Sequence, residues 1–239
     1  MIKKIENCNE LNGFDKMDIY SVRIMSLLNA YGTSYDFAAF YKQVNDHGKI
    51  TAILSKLDSD ITISNIECDF EELIEFIEVI GYSSCLCSGL DGYSRHYDSG
   101  VVMSANKKSY ITVLNAEIDY YPKLMDLFSF DDYDKSDFEV WYVDVCHRIR
   151  HNCAKAYSLN VNDEIISSGM FSSIYKDNAI LTSVKTAPEF RQMGYGSTLV
   201  SEMVNDVKGT VYLMREKDKN ESFYKRLGFE NIGIWRMYK

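Results

Sequence analysis

The sequence predicts an α/β protein: a mixed, mostly antiparallel sheet flanked by helices, arranged in two lobes. Three observations predict it. Residues Ala154–Thr186 read as three strand-like runs broken by "NDE" and "KDN", and Asn and Asp tolerate the left-handed backbone that tight hairpins need. From Ser197 the apolar period changes from that of a strand to that of a helix. The same succession, strands then helix then strand, recurs more weakly in the first half.

Each element follows from local chemistry. In the third run of the meander, Ile180, Thr182, Val184 and Thr186 are expected on one face and Leu181, Ser183 and Lys185 on the other. Pro188 stops that strand. Leu199, Val200, Met203, Val204 and Val207 then recur at i, i+3, i+4 spacing, with Lys208 in the last turn and Gly209 as the stop. "TVYLMRE" is a short strand, Asn220 begins a short helix that Gly228 ends, and "IGIWRMYK" is the closing strand. In the first half, "YDFAAFYKQ" and "KITAILSKLDSDITISN" are strands with a turn at "DSD". Asp69 with Glu72 forms a capping box for a helix bearing Phe70, Leu73, Ile74, Ile77 and Ile80, and "YSSCLCS" is the next strand. Residues 87–109 are polar and Gly/Ser-rich, which predicts a loop. Residues 120–151 are helical in parts, with an acidic turn at "DDYDKSD". The expected domains are 1–125 and 126–239.

Composition narrows the function classes. A chain of 239 residues, 46% hydrophobic and 26% charged, is that of a globular protein able to bury a core. A net charge of −9 argues against nucleic acid as the partner, because phosphate binding wants a basic face. No apolar run approaches the roughly 20 residues that span a bilayer, and the first residues lack the apolar stretch of a secretory signal. The expectation is a cytoplasmic protein without membrane partner, its six cysteines reduced. Cys85 and Cys87 have strand spacing, which puts both thiols on one buried face. His147 and His151 are four apart, as metal ligands on a helix would be, but the intervening Glu of His-Glu-x-x-His is missing and two arginines stand between them. No metal site is expected.

The chemistry concentrates in "PEFRQMGYGSTLV", Pro188–Val200. A strand that stops, a bare loop and a helix start near Gly194 aim free N–H groups outward, and the helix dipole adds about half a positive charge there. In physical terms this is a diphosphate cradle. A dinucleotide fingerprint would need a third glycine where Leu199 stands, and a P-loop would need a lysine that "GYGST" lacks. Two glycines that merely ease a helix onto a sheet remain the structural alternative. The corresponding stretch of the first half, "ISNIECDFEEL", has no glycine and places acids at its helix start.

Arg191-Gln192-Met193-Gly194-Tyr195-Gly196 resembles the (Gln/Arg)-x-x-Gly-x-(Gly/Ala) signature of the GCN5-related N-acetyltransferases, and "NESFYKRLGF" further on is similar to that family's second signature. The resemblance covers about residues 140–239, and the first half resembles a degenerate copy in tandem with it. It implies a GNAT-like fold with acetyl-CoA as cosubstrate and a direct N-acetyl transfer to a primary amine of a small molecule or peptide, the protein being a monomer or homodimer. The main chain of Val184, Lys185 and Thr186 would then pair with the pantetheine arm, an amide around Val184 would polarise the thioester, and the amides from Gln192 through Met193, Gly194, Tyr195 and Gly196 to Ser197 would hold the diphosphate. Arg191 would touch phosphate or an acidic neighbour; Asn220 would bond the pantetheine or cap its helix. Tyr224 matches the general acid that protonates the departing thiolate. The strand before the loop has no carboxylate, and no residue stands out as general base. A chain that keeps the cradle but only senses acyl-CoA, or one that binds another nucleotide, would share these features.

Overall fold

The computed structural model describes residues 1–106, 115–131 and 134–239. The last residues of the expected central loop and part of the acidic turn lie outside the described residues. The chain forms two compact units: Met1–Val102 with Met214–Lys217 and Ile232–Lys239, and Met103–Leu213 with Asp218–Asn231. Most of the last strand belongs to the first unit.

The first unit opens with β1 (Ile2–Lys4), α1 (Ile19–Tyr31), β2 (Ala38–Val44), β3 (Ile50–Leu57) and β4 (Asp60–Asn65). It continues through α2 (Phe70–Ile80), β5 (Ser84–Cys87) and the start of β6 (Tyr97–Ala105). Strands β1 to β4 pair antiparallel in order, and β5 joins β4 in parallel across the α2 crossover. Leu54, Ile61, Ile63, Leu73, Ile77 and Cys85 form the core under α2. Both faces of β3 are buried, with α1 packed on β3 and β4. Cys85 and Cys87 are both buried.

Two expectations are corrected here. Asp69 does cap the Glu72 amide at 3.0 Å, but Glu72 does not return to the Asp69 amide; its carboxylate accepts instead from the Ile2 amide and Gln43 Nε2. The Gly/Ser-rich segment expected as a loop contains strand β6. Gly100 stands in that strand because a Cβ there would collide with the Arg215 carbonyl oxygen and lie 2.6 Å from the Trp235 indole nitrogen. The glycine serves close approach, not a turn.

The second unit contains β7 (Glu117–Asp119), α3 (Leu124–Phe130), α4 (Phe138–Arg150), β8 (Lys155–Val161), β9 (Glu164–Tyr175) and β10 (Asn178–Thr186). Then come α5 (Tyr195–Asp206), the start of β11 (Val211–Glu216) and α6 (Glu221–Arg226). Strands β7 to β10 form an antiparallel meander and β11 joins β10 in parallel. Asn162 and Asp163 both adopt the left-handed conformation in the β8–β9 hairpin, as "NDE" predicts. Leu127 and Val145 pack on Ala156 and Met170. Helix α5 buries Leu199, Val200, Met203 and Val204, and comes so close to β9 that a Cβ on Gly169 would lie 2.8 Å from the Met203 sulfur. The helix stops at Asp206, short of the expected Val207 and Lys208, because Val207 is extended. Gly209 is no helix stop either; its amide donates to the Asp177 carbonyl at 2.8 Å, where a side chain would not fit. Strand β12 (Glu230–Tyr238) ends the chain, its last residues pairing antiparallel with β5.

In each unit the strands pair in a mixed, mostly antiparallel pattern with helices on them, as the sequence predicts.

Candidate functional site

The site arises where β10 loses its regular pairing. Its parallel pairing with β11 covers Ala179–Leu181 against Val211–Leu213. Past that point Thr182 still pairs with Met170 of β9, yet Lys185 pairs with Ser168. One extra residue has entered β10, and Ser183 takes a positive φ of 52°. Such a bulge bends the strand and shifts its alternation, so the expected two-face pattern ends at Thr182. Ser167 anchors the bulged segment, its hydroxyl donating to the Lys185 carbonyl at 2.7 Å and lying 2.9 Å from the Thr186 hydroxyl.

Beyond Thr186 the chain makes one 3-10 turn at Pro188–Phe190 and enters α5 through Gly194. Gly194 has φ +92°, a conformation in which a Cβ is strained, and it offers no side-chain cap. The first amide bonded back into the helix is that of Thr198, which reaches the Gly194 carbonyl at 2.9 Å. The amides of Tyr195, Gly196 and Ser197 therefore have no intrahelical acceptor. Gly196 has a different reason to be bare: a Cβ would lie 2.8 Å from the Thr186 hydroxyl and 3.8 Å from the Phe223 ring. Both glycines are demanded by geometry.

These pieces surround a cavity of about 500 Å³. Val184 and Thr186 line it from β10; Arg191, Gln192, Gly194, Tyr195, Gly196 and Ser197 from the loop and helix start; Asn220 and Tyr224 from α6. Lys185 and Met193 are the expected residues outside it. The Lys185 ammonium turns to the Phe130 carbonyl at 2.6 Å, and Met193 projects to solvent. Phe190, Phe223 and Arg226 also line the cavity and were not expected; Phe223 and Arg226 stand three apart on α6, a spacing that could have revealed their shared face. The lining contains two arginines and no carboxylate.

The contacts of three of these residues bear on the alternatives left open for them. Arg191 donates from Nε to the Thr186 carbonyl at 3.0 Å, bracing the loop rather than pairing with an acid. Asn220 occupies the N-cap of α6 in a left-handed conformation, but its side chain makes no cap hydrogen bond. It is free of the local duty that would explain it. Tyr224 packs edge-on against Phe223 and Phe229, and its burial raises the phenol above its ordinary value near 10. The hydroxyl therefore stays protonated throughout the neutral range. Among the described residues no group of three or more His, Cys, Asp or Glu is placed to hold a metal. His147 and His151 stack at 4.3 Å, and a His151 ring nitrogen lies 2.8 Å from the His147 carbonyl. No helix among the described residues is long and apolar enough to cross a membrane.

Residues 113–229 match the family model of the acetyltransferase (GNAT) family, and this segment is a GNAT acetyltransferase domain. No curated protein matches the chain. Among solved structures, a GCN5-related N-acetyltransferase from Kribbella flavida is similar with a TM-score of 0.60 at 10% identity, over 93% of this chain and 95% of that one. A Drosophila protein gives 0.65 at 11% identity, over 99% and 97%. A tandem GNAT protein from the clavulanic acid biosynthesis pathway gives 0.59 at 10% identity, over 100% and 97%. At such identities the likeness is one of fold, and with the last of these it extends to a tandem arrangement of that fold.

Proposed function

We propose that the protein is an N-acetyltransferase whose C-terminal domain, residues 126–239, takes acetyl-CoA and passes the acetyl group directly to a primary amine of a small molecule or peptide. Residues 1–125 are in this reading a degenerate copy of the same fold. One observation carries it: in a chain of net charge −9, the cavity is walled by unbonded main-chain amides and two arginines, without a carboxylate. That is the lining an anionic, doubly phosphorylated ligand requires.

Acetyl-CoA supplies the acyl group as a thioester. The amides from Gln192 to Ser197 hold its diphosphate, and the bulged edge Val184–Thr186 receives the pantetheine, with an amide near Val184 aimed at the thioester oxygen. The Asn220 side chain, uncommitted to its helix, adds a polar contact. Tyr224 holds a proton at its hydroxyl for the departing thiolate. The same lining has no Asp, Glu or His to accept the amine's proton. This favours a second reading, an acyl-CoA sensor without catalysis.

Calorimetry with CoA and thiol release from acetyl-CoA across a panel of primary amines test both. Binding with acceptor-dependent release is the expected result. Binding without release for any amine leaves the sensor; no binding overturns both readings.

A further inference from the structure

We infer that two copies of this chain pair through the outward face of α4, the helices lying antiparallel about a two-fold axis. This surface is separate from the candidate site, and the inference does not rest on the acyl-CoA reading.

Helix α4 commits one face to its own unit. Trp141, Val145 and Ile149 pack with Leu127, Ala156 and Met170, and the Phe138 ring lies 4.9 Å from that of Phe128. Beside them Arg148 donates to the Ser172 carbonyl at 3.0 Å and pairs with Asp144. At about 100° per residue, Glu139, Val140, Val143, Cys146, His147 and Arg150 fall within about 120° of arc on the other side. A helix facing water there would carry polar residues along its middle. Instead Val140 is 76% and Val143 67% exposed. A β-branched side chain loses rotamer freedom in a helix, so two valines one turn apart in solvent weaken the helix without burying apolar area. Under a cover they would bury it.

The charges identify the cover. Glu139 stands in the first turn and Arg150 in the last, and neither makes a hydrogen bond or ion pair among the described residues. They are about 16 Å apart along the helix axis. A second copy of the helix is laid antiparallel, with the two-fold axis between positions 144 and 145. Glu139 of each copy then lies opposite Arg150 of the other, and Val143 opposite Cys146. The face is self-complementary, as a two-fold interface requires, and the opposed helix dipoles add to the attraction. Any other partner would have to present the reverse order of charge around an apolar centre; a copy of the chain does so by symmetry. One helix pair of this length buries less than the roughly 1,200 Å² of a standard interface, so the association should be weak and reversible.

Sedimentation velocity on the full chain, from about 1 to about 200 µM, tests it, with circular dichroism to show each variant folded. The natural chain should pass reversibly from monomer to dimer as concentration rises. Val140→Ser combined with Val143→Ser should raise the dissociation constant about tenfold or more. Glu139→Arg and Arg150→Glu, each alone, should also raise it, because like charges then face each other. Mixed in equal amounts, these two single variants should form a dimer about tenfold or more tighter than either forms by itself, since every facing pair is again of opposite sign. That rescue reads the register of the two helices, which a merely structural role would not produce. Should the serine variant not fold, the charge reversals still decide. A chain monomeric at every concentration overturns the inference and leaves the α4 face to a different partner. A dimer indifferent to these substitutions, or a mixture that shows no gain, overturns it as well. None of these outcomes touches the acyl-CoA reading, which calorimetry with CoA decides separately.

Discussion

Helices α2 and α5 occupy the same place in two copies of one pattern, each following three antiparallel strands and leading into a parallel one, yet their N-termini are finished in opposite ways. At α2 the protein satisfies itself. Asp69 accepts the Glu72 amide, its own amide donates to Gln43 Oε1 at 3.0 Å, and Gln43 is buried in turn between Thr51 and Glu72. The end of β4 is closed as well: Ile63, Ser64 and Asn65 are buried, with Ser64 donating to Asp18 and Lys16 to the Asn65 carbonyl. At α5 the cap is a glycine with nothing to donate or accept from a side chain, and the end of β10 opens onto a cavity. A helix start whose amides are bonded by its own carboxylate repels a second anion, and one left bare invites it. Topology is shared; the ligand-ready state lies in which polar groups the chain leaves unsatisfied.

The largest effect should come from closing the open copy. In a Gly194→Val, Gly196→Val chain, the first side chain enters a left-handed backbone and the second meets Thr186. Strain of about 1–3 kcal/mol is expected at the first site. Losing two or more amide contacts to a charged group, each about 1.5–3 kcal/mol, should weaken CoA by about 100-fold or more. Calorimetry on a chain shown folded by circular dichroism reads this. Unchanged affinity would mean that the bare helix start is packing alone.

Next in size is Tyr224→Phe. A positioned acid contributes about 100-fold or more to transfer, so turnover should fall by that order while CoA affinity stays within about twofold. Burial raises the Tyr224 phenol, which favours its neutral form, so the proton is present below about pH 10 and is lost only as pH rises past that ordinary value. The variant's rate should accordingly be depressed by one factor across about pH 6 to 9, without a new inflection. A pH-rate profile that converges with the natural chain in that range would remove Tyr224 from the chemistry.

Legibility in the sequence followed the signal each element carries. The C-terminal meander and α5 were readable because alternation and helical spacing are strong where one face is buried, and the loop before α5 because Gly194 and Gly196 leave a spaced mark. Helix α1 left none. Eleven of its residues, from Ile19 to Tyr31, are buried, so apolar residues surround it instead of forming a stripe. Strand β6 was hidden by Gly100, whose reason lies in Arg215 and Trp235, far along the chain. The bulge at Ser183 likewise depends on pairing with β9, which alternation within β10 does not encode. Phe223 and Arg226 were not expected in the cavity lining, although their three-residue spacing on α6 puts them on one face.

The smallest effects give the sharpest form of the comparison, since the two N-cap residues should fail in different ways. Asp69 caps α2, so Asp69→Ala should cost about 1 kcal/mol and lower the melting temperature by about 2–4 °C, with CoA affinity unchanged. Asn220 caps nothing. Glycine keeps its left-handed backbone without strain, so Asn220→Gly removes the side chain alone. It should leave the melting temperature within about 2 °C and weaken CoA by about fivefold, the value of one hydrogen bond. Differential scanning fluorimetry and calorimetry on both variants separate the cases. An Asn220→Gly chain that melts early and binds CoA normally would place Asn220 beside Asp69 as a structural residue, and the contrast between the closed and open copies would then rest on the glycines alone.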